Sequence, residues 1–354
     1  MATLTDTMIQ GGVLREIKLP KYFYQGLFGQ QFLAKSDVII FDDVYEDYRS
    51  IAKFVAPNVI ATVNQTKTFD VKSFRPAYVK ERDVIEAWSE TLQARTAGEE
   101  IGGSLTPQER AMKMRAKQLA MQRLRVENLI ELMCFQALSA GKLVIRANQY
   151  PTTTIDYFRH ADLTATTLGV KNWATPTNNP LESLATMCDK VYEHSQEEVD
   201  TLIMGRTAWA NFYKYITAKE RIHLLDNNIR GSDLNTNLFW VGDVDGVSLG
   251  ARFTSLTGQT IEVYRDTRSY RNADGQVVPY LNDNEVIGLS SKGFKGVQAF
   301  GAIKDADAGY MPARMHHKEY REPDPSSDYL LTQSAPLPIV LNPNSVFRIL
   351  NVNA

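Results

Sequence analysis

The chain has 354 residues, 44% of them hydrophobic and 23% charged, and a net charge of −2. That composition excludes disorder, and no apolar run reaches the roughly 18 residues that a membrane-crossing helix needs. Residues 1–150 carry 20 Lys and Arg against 17 Asp and Glu, the remainder 19 against 24, and neither half has the basic excess of a nucleic-acid-binding domain.

The first six residues, Met1-Ala2-Thr3-Leu4-Thr5-Asp6, lack the basic and apolar regions of a signal peptide, so nothing is expected to direct the chain through a membrane. Residues 1–36 have scattered apolar side chains and an aromatic group, Tyr22-Phe23-Tyr24 with Leu27-Phe28, but no sustained period. Such a segment makes no core of its own. It is either an arm lying on another surface or a terminal element docked on its own domain. Residues 37–92 read as strands: Asp37-Val38-Ile39-Ile40-Phe41, then a run from Thr66 to Phe74, then Phe74 to Lys80. They carry Lys67, Lys72, Arg75, Lys80 and Arg82 and few large aliphatics. An extended hairpin with so little apolar surface is marginal alone and needs a partner surface, which a neighbouring subunit would supply.

A polar loop over residues 97–104 precedes the clearest helix. Thr106-Pro107-Gln108-Glu109 forms a capping box with Pro at the first helical position. Apolar or small residues recur at Met112, Ala116, Leu119, Val126, Ile130, Met133 and Ala137, with Gln122 or Arg123 interrupting the stripe, and Gly141 stops the helix. A helix over 106–140 is roughly 52 Å long at about 1.5 Å per residue, which calls for a long surface to lie along. Its cations, Arg110, Lys113, Arg115, Lys117, Arg123 and Arg125, spread around more than one face.

Residues 143–175 return to β-type text, with Thr152-Thr153-Thr154-Ile155-Asp156-Tyr157 the clearest run. Asn178-Asn179-Pro180 opens a helix from Leu181 to about Val191. Leu202-Ile203-Met204-Gly205 reads as a buried strand and Arg206 to Ile216 as a helix. Ile261-Glu262-Val263-Tyr264 and Val277-Val278-Pro279-Tyr280 flank the hairpin signal Ala273-Asp274-Gly275, and Val286-Ile287-Gly288-Leu289 follows. Tyr329-Leu330-Leu331 and Ile339-Val340-Leu341 are expected as separate strands split by Pro336 and Pro338.

Candidate chemistry is sparse. Gly246-Val247-Ser248-Leu249-Gly250 matches the nucleophile-elbow pattern, with His316 and His317 downstream, and defines an alternative reading as a cytosolic serine hydrolase using Ser248. The elbow needs a strand before it and a helix after it, whereas β-type residues follow here. Asp305-Ala306-Asp307 starts like a calcium loop but places His316 where the bidentate Glu belongs, so its carboxylates are expected to hold a turn. No catalytic residue, metal or cofactor is expected, and Cys134 and Cys188 read as buried thiols.

Four passages share a likeness: Pro76-Ala77-Tyr78-Val79-Lys80; Ile155-Asp156-Tyr157-Phe158-Arg159; Phe300-Gly301-Ala302-Ile303-Lys304-Asp305-Ala306-Asp307; and Gln333-Ser334-Ala335-Pro336-Leu337-Pro338 with Asn342-Pro343. In order and spacing they resemble the major head (capsid) protein E family of lambda-like tailed phages. One departure is Phe158, where the family usually has Gly. The resemblance implies an α+β fold of the Hong Kong 97 coat type. Its parts are an N-terminal arm (1–47), an extended loop (48–92), and a peripheral domain (93–178) with a spine helix over 106–140. An axial domain (179–309), a return strand to the peripheral domain (310–335, antiparallel to 143–158) and a C-terminal axial strand (336–354) complete it. It implies a self-assembling shell protein and not an enzyme. Pentamers and hexamers would form an icosahedral head around double-stranded DNA, built in the host cytoplasm as a procapsid that later expands. Its partners would be a scaffolding protein separate from this chain, a portal, and DNA touched without sequence preference, with the presence of a decoration protein left open. Intersubunit contacts are expected from Lys67, Phe69, Val71, Lys72, Phe74 and Tyr78 in the extended loop. Arg110, Arg115, Leu119, Arg123, Val126 and Ile130 would act on the spine helix, and Gln333, Ser334, Ala335 and Pro336 would mark the crossing between domains.

Overall fold

The computed structural model describes residues 21–36, 38–42, 71–86, 107–147, 150–165, 172–175, 177–218, 246–254, 260–272, 274–323 and 327–353. In chain order these form α1 (Phe23–Leu27), β1 (Gln30–Leu33), β2 (Ile39–Asp42), β3 (Val71–Phe74), β4 (Val79–Glu86), α2 (Pro107–Ala140), β5 (Lys142–Ala147) and β6 (Tyr150–Asp156). Then come β7 (Thr164–Ala165), α3 (Pro180–Ser195), β8 (Thr201–Met204), α4 (Arg206–Ala218), β9 (Val247–Thr254), β10 (Thr260–Asp266), β11 (Ser269–Arg271) and β12 (Val277–Pro279). The last third gives β13 (Val286–Leu289), β14 (Gly296–Phe300), β15 (His316–Glu322), β16 (Ser327–Ser334), β17 (Pro336–Val340) and β18 (Val346–Ile349). Helices and sheets are interleaved in an α+β architecture.

A six-stranded sheet, ordered β7-β18-β13-β8-β10-β9, separates two apolar clusters. Leu202 and Met204, Ile261 and Val263, and Phe347 and Ile349 face α3 and α4. Ile203, Tyr264, Ile287, Leu289 and Val346 face the cluster around α2. Both faces are covered, which is why these strands read as continuous apolar runs and not as alternating ones. Gly288 is required here: a Cβ on it would lie 2.1 Å from the Phe347 ring, which fills the space instead.

The helix α2 realises the expected spine. Leu119, Val126, Ile130 and Met133 are buried, as the periodicity predicts. Gln122, the apparent break in the stripe, is also fully buried. Its Nε2 donates to Leu330 O at 3.0 Å and its Oε1 accepts from Thr332 Oγ1 at 2.6 Å, so it docks the helix onto β16. Gly141 ends the helix at φ +62°. The helix has no basic residue in its own last turn. Arg159, beyond β6, supplies the cation, donating to Ser139 O at 2.9 Å and Leu138 O at 2.6 Å. Burial, with Arg348 nearby, pulls its guanidinium down to about 9, which leaves it charged at neutral pH.

Phe158 keeps the left-handed conformation that a glycine would favour, at φ +58°, while its ring is 63% exposed. Left-handed backbone costs an L-residue about 1–2 kcal/mol, and glycine's extra unfolded-state entropy offsets about half of that. Phe158→Gly is therefore expected to raise stability by about 0.5–1 kcal/mol, measured as a higher urea midpoint at unchanged slope. A lower midpoint would show that the exposed ring contributes more than the strained backbone costs.

Three expectations about the strands are corrected. Residues 316–334 form a hairpin, β15–β16, and β16 then pairs antiparallel with β4, not with 143–158. The β5–β6 pair is a separate two-stranded hairpin. Only four residues separate β15 from β16, and strands so close in sequence tend to pair with each other before any distant strand. The Gly275 turn, at φ +79°, joins β11 to β12 and not β10, which pairs with β8 and β9. Residues 329–331 and 339–340 do fall in separate strands, β16 and β17, but the break is at Ala335, and Pro336 and Pro338 lie inside β17, an edge strand on β14. Two residues apart, they present the same edge outward, where the missing N–H groups forfeit no ladder bond.

The N-terminal aromatics dock on their own chain. Helix α1 is buried, and the Glu131 carboxylate accepts from Tyr24 N at 2.9 Å and Gln25 N at 2.8 Å. The same carboxylate pairs with Arg268 at 2.8 Å, which also pairs with Asp266 at 3.0 Å. Tyr24 Oη donates to Asp266 at 2.7 Å, and the Arg268 guanidinium lies 4.8 Å from the Tyr24 ring centre. Beside this network, Arg314 donates to Glu127, Gln298 and Gln25. Strand β1 then pairs in parallel with β14.

Candidate functional site, a junction of four segments

The four passages singled out in the sequence meet at one place in the fold. Tyr78 precedes β4 and reaches across to the end of β16. Its Oη donates to Gln333 Oε1 at 2.7 Å and accepts from Lys304 N at 2.9 Å. Gln333 is fully buried, and its Nε2 donates to Asp305 Oδ2 at 2.6 Å. Asp305 Oδ1 accepts from Asp307 N at 3.0 Å and from Lys318 Nζ at 3.2 Å. Burial pushes the Asp305 carboxyl up, but the bonds from Gln333, Asp307 and Lys318 outweigh it and hold the group below its usual range. Burial pushes the Tyr78 phenol up, and Asp305 adds to that against the Lys304 amide. Asp305 thus closes a turn, as the Asp-Ala-Asp spacing predicts.

Gly301 makes the packing of this junction possible. Its N donates to Ala335 O at 2.9 Å, and a Cβ on it would sit 2.5 Å from Pro76 Cγ. Ser334 Oγ donates to Arg314 O at 2.6 Å, joining the junction to the Arg314 network. Tyr157, from the passage after β6, donates its hydroxyl to Pro338 O. Ser334, Ala335 and Pro336 are all buried, so the crossing from β16 to β17 runs through the interior.

Other candidate residues fall elsewhere. Phe74 packs against the α2 cluster, so Phe74, like Tyr78, makes contacts within its own chain. Val71 and Lys72 lie in β3, paired with β2. Lys67 and Phe69 lie outside the described residues, as do the loop over 97–104 and Thr106 of the capping box. Arg115 pairs within the chain, with Glu319 at 3.1 Å and Asp328 at 2.9 Å, and Arg125 reaches Glu81 and Asp83. Arg110 lies in the first turn of α2 and Arg123 is half-buried beside His317. Between β4, α2 and β5 lies an apolar groove of about 600 Å³, lined by Tyr78, Val79, Leu129, Leu132, Met133 and Ile145.

The described residues do not form a nucleophile elbow at Ser248. Ser248 is the second residue of strand β9, opposite Arg265, and β10 follows that strand with no helix between among the described residues. His316 and His317 sit on β15. His317 Nδ1 lies 2.8 Å from Thr332 Oγ1, whose own proton goes to Gln122. Burial, then the charges of Arg123 and His316, lower its imidazole to about 4. A folded value below the unfolded one, about 6.5, means stability is full above pH 6.5 and is lost as pH falls toward 4. The loss is expected to be on the order of 2 kcal/mol. Urea unfolding at pH 7 and pH 4.5 should show His317→Gln less acid-sensitive than the parent; equal sensitivity would remove His317 as the cause.

Comparison with known proteins agrees with this geometry. The family model described as "Phage major capsid protein E" matches residues 13–351. The major capsid protein of Enterobacteria phage P21 is 22% identical over 351 residues, covering 97% of this chain and 98% of that protein. That of Escherichia phage lambda is 21% identical over 338 residues, covering 92% and 93%. The crystal structure of a prophage capsid protein of E. coli CFT073 superposes with a TM-score of 0.70 at 20% identity, covering 97% of this chain and 98% of that one.

Proposed function

Because the chain belongs to the phage major capsid protein E family and is a structural protein of a tailed-phage virion shell, we propose that it works by association alone. Pentamers and hexamers of this chain close an icosahedral head around double-stranded DNA. A smaller procapsid, built in the host cytoplasm with a scaffolding protein and a portal, expands as DNA enters. The DNA is held without sequence preference. Within the extended loop over 48–92, the part that reaches the peripheral region of the next subunit is the stretch ahead of β3, since β3 and β4 pair within their own chain, and the apolar groove beside α2 is the surface it meets.

The observation that carries this reading is the convergence of the family-like passages on the Tyr78–Gln333–Asp305 junction. That junction fixes the base of the extended loop to the crossing between the two sheet systems. Among the described residues β4 is an edge strand of its sheet, which supports the same reading.

Deleting residues 58–72 tests it. The shortened chain is expected to stay soluble and folded by circular dichroism yet give no shells in electron micrographs, while the full chain gives shells or rings of five and six. Normal shells from the deletion would remove the extended loop from assembly. A full chain that stays monomeric under all assembly conditions would remove the pentamer and hexamer reading itself.

A further inference from the structure

Away from the junction, His160, Asp162 and His194 come together where the turn after β6 meets the last turn of α3. One ligand atom from each lies within 4.8 Å of the other two, the one such group among the described residues. His160 Nδ1 is 3.3 Å from Asp162 Oδ2, and His194 Nε2 is 3.8 Å from the same oxygen. The two imidazole rings stack with centroids 3.9 Å apart and planes 25° apart.

We propose that these three side chains form a binding site for a divalent transition metal, zinc above all. Ligand bonds of about 2.0–2.2 Å at tetrahedral angles place donor atoms about 3.3–3.5 Å apart. The His160–Asp162 pair is already at that separation, and the His194 pair is within half an ångström of it. Side-chain rotation closes the rest. Two imidazoles and one carboxylate suit zinc, cobalt or nickel and disfavour calcium and magnesium, which want oxygen ligands only. His160 and Asp162 are exposed and His194 is half-buried, so water has access to a fourth position.

The backbone holds the donors in place. His160 N donates to Asn344 Oδ1 at 2.9 Å, and Leu163, at the end of the 3-10 turn Ala161–Leu163, is fully buried. His194 is fixed by α3, which ends at Gln196 with a left-handed cap. The competing bond is weak: Asp162 N donates to His160 Nδ1 at 3.4 Å, long for a hydrogen bond. Bound metal would add a surface tie between the segment leaving β6 and α3, which already share the apolar cluster of Leu163, Leu184, Met187 and Val191. Neither cysteine competes, since burial pushes Cys134 well up and Cys188 up to about 12.

Titrating the chelator-treated full chain with zinc chloride in a calorimeter tests the site. One zinc per chain is expected, with a dissociation constant of about 1–10 µM and a melting temperature higher by about 3–5 °C. Magnesium chloride should give neither. His160→Ala, His194→Ala and Asp162→Asn should each weaken zinc at least about tenfold. A second readout needs no variant: zinc should protect His160 and His194 from diethyl pyrocarbonate, mapped by mass spectrometry, and leave the other histidines as reactive as before. No heat of binding, zinc bound equally by the His160→Ala/His194→Ala double variant, or protection of other histidines instead would each overturn the proposal.

Discussion

Arg268→Ala is expected to cost about 3–5 kcal/mol of folding stability. The guanidinium stands between two carboxylates that have almost no contact with solvent, Glu131 and Asp266, whose side chains are 1% and 0% exposed. Removing it leaves two like charges buried with nothing to neutralise them, and takes a cation from the rings of Phe23, Tyr24 and Tyr280. Truncation is far worse than replacing the whole group, because an unpaired buried charge carries its full desolvation cost. Neutralising the partners in the same chain, with Glu131→Gln and Asp266→Asn, should therefore recover part of the loss. Glu131 still caps α1 in the native protein, so recovery stops short of the parent value. Urea denaturation of the three proteins measures all of this. A loss below 1 kcal/mol for Arg268→Ala, or no recovery on neutralisation, would show that water reaches the pocket and screens the charges.

Ile130→Asp is expected to abolish soluble expression. Ile130 is 1% exposed at the centre of α2, in the cluster shared with α1, β5, β6 and β17. The arginines near this stretch of helix are already committed, Arg314 to Glu127 and Arg268 to Glu131 and Asp266, so a carboxylate there adds a buried charge that costs more than a marginally stable chain has to lose. Ile130→Val is the graded control, expected to fold with a loss of about 1 kcal/mol. A soluble Ile130→Asp protein with parent-like helicity would mean that α2 does not press this face on the core.

What the sequence made legible was mostly local. The spine helix was marked by Pro107, by an apolar stripe at helical spacing and by Gly141, all close along the chain. Helix α3 was marked by Asn179-Pro180 in the same way; Asn179 caps it by accepting from Leu181 N. The family-like passages identified the coat fold, yet nothing in their spacing indicated that they touch. Tyr78 and Gln333 are separated by 255 residues and bond at 2.7 Å. Partner choice in a sheet depends on faces and edges that only the folded chain defines, so β16 was set beside the wrong strand. Gln122 was read as a flaw in a stripe because its two partners lie over 200 residues away. Nothing near Glu127 and Glu131 in the sequence signals their burial, because their arginines, Arg314 and Arg268, lie in connecting segments 187 and 137 residues away. The histidine pair His160 and His194 drew no notice for the same reason: no spacing rule links two residues on a turn and a helix end.

The positions of β16, β17 and β18 set a clock on folding. β16 lies between β15 and β4, β17 completes the sheet of β14, and β18 sits inside the six-stranded sheet between β7 and β13. All three come from residues 327–349. A ribosome adds roughly 5–20 residues per second, so there is an interval in which the earlier strands have been made and residues 327–349 have not. Neither apolar cluster closes in that interval, because Leu337, Ile339 and Val346 belong to one and Phe347 and Ile349 to the other. A chain that stops short of residue 327 therefore keeps both clusters open and leaves unpaired edges on β4 and β13, where β16 and β18 belong.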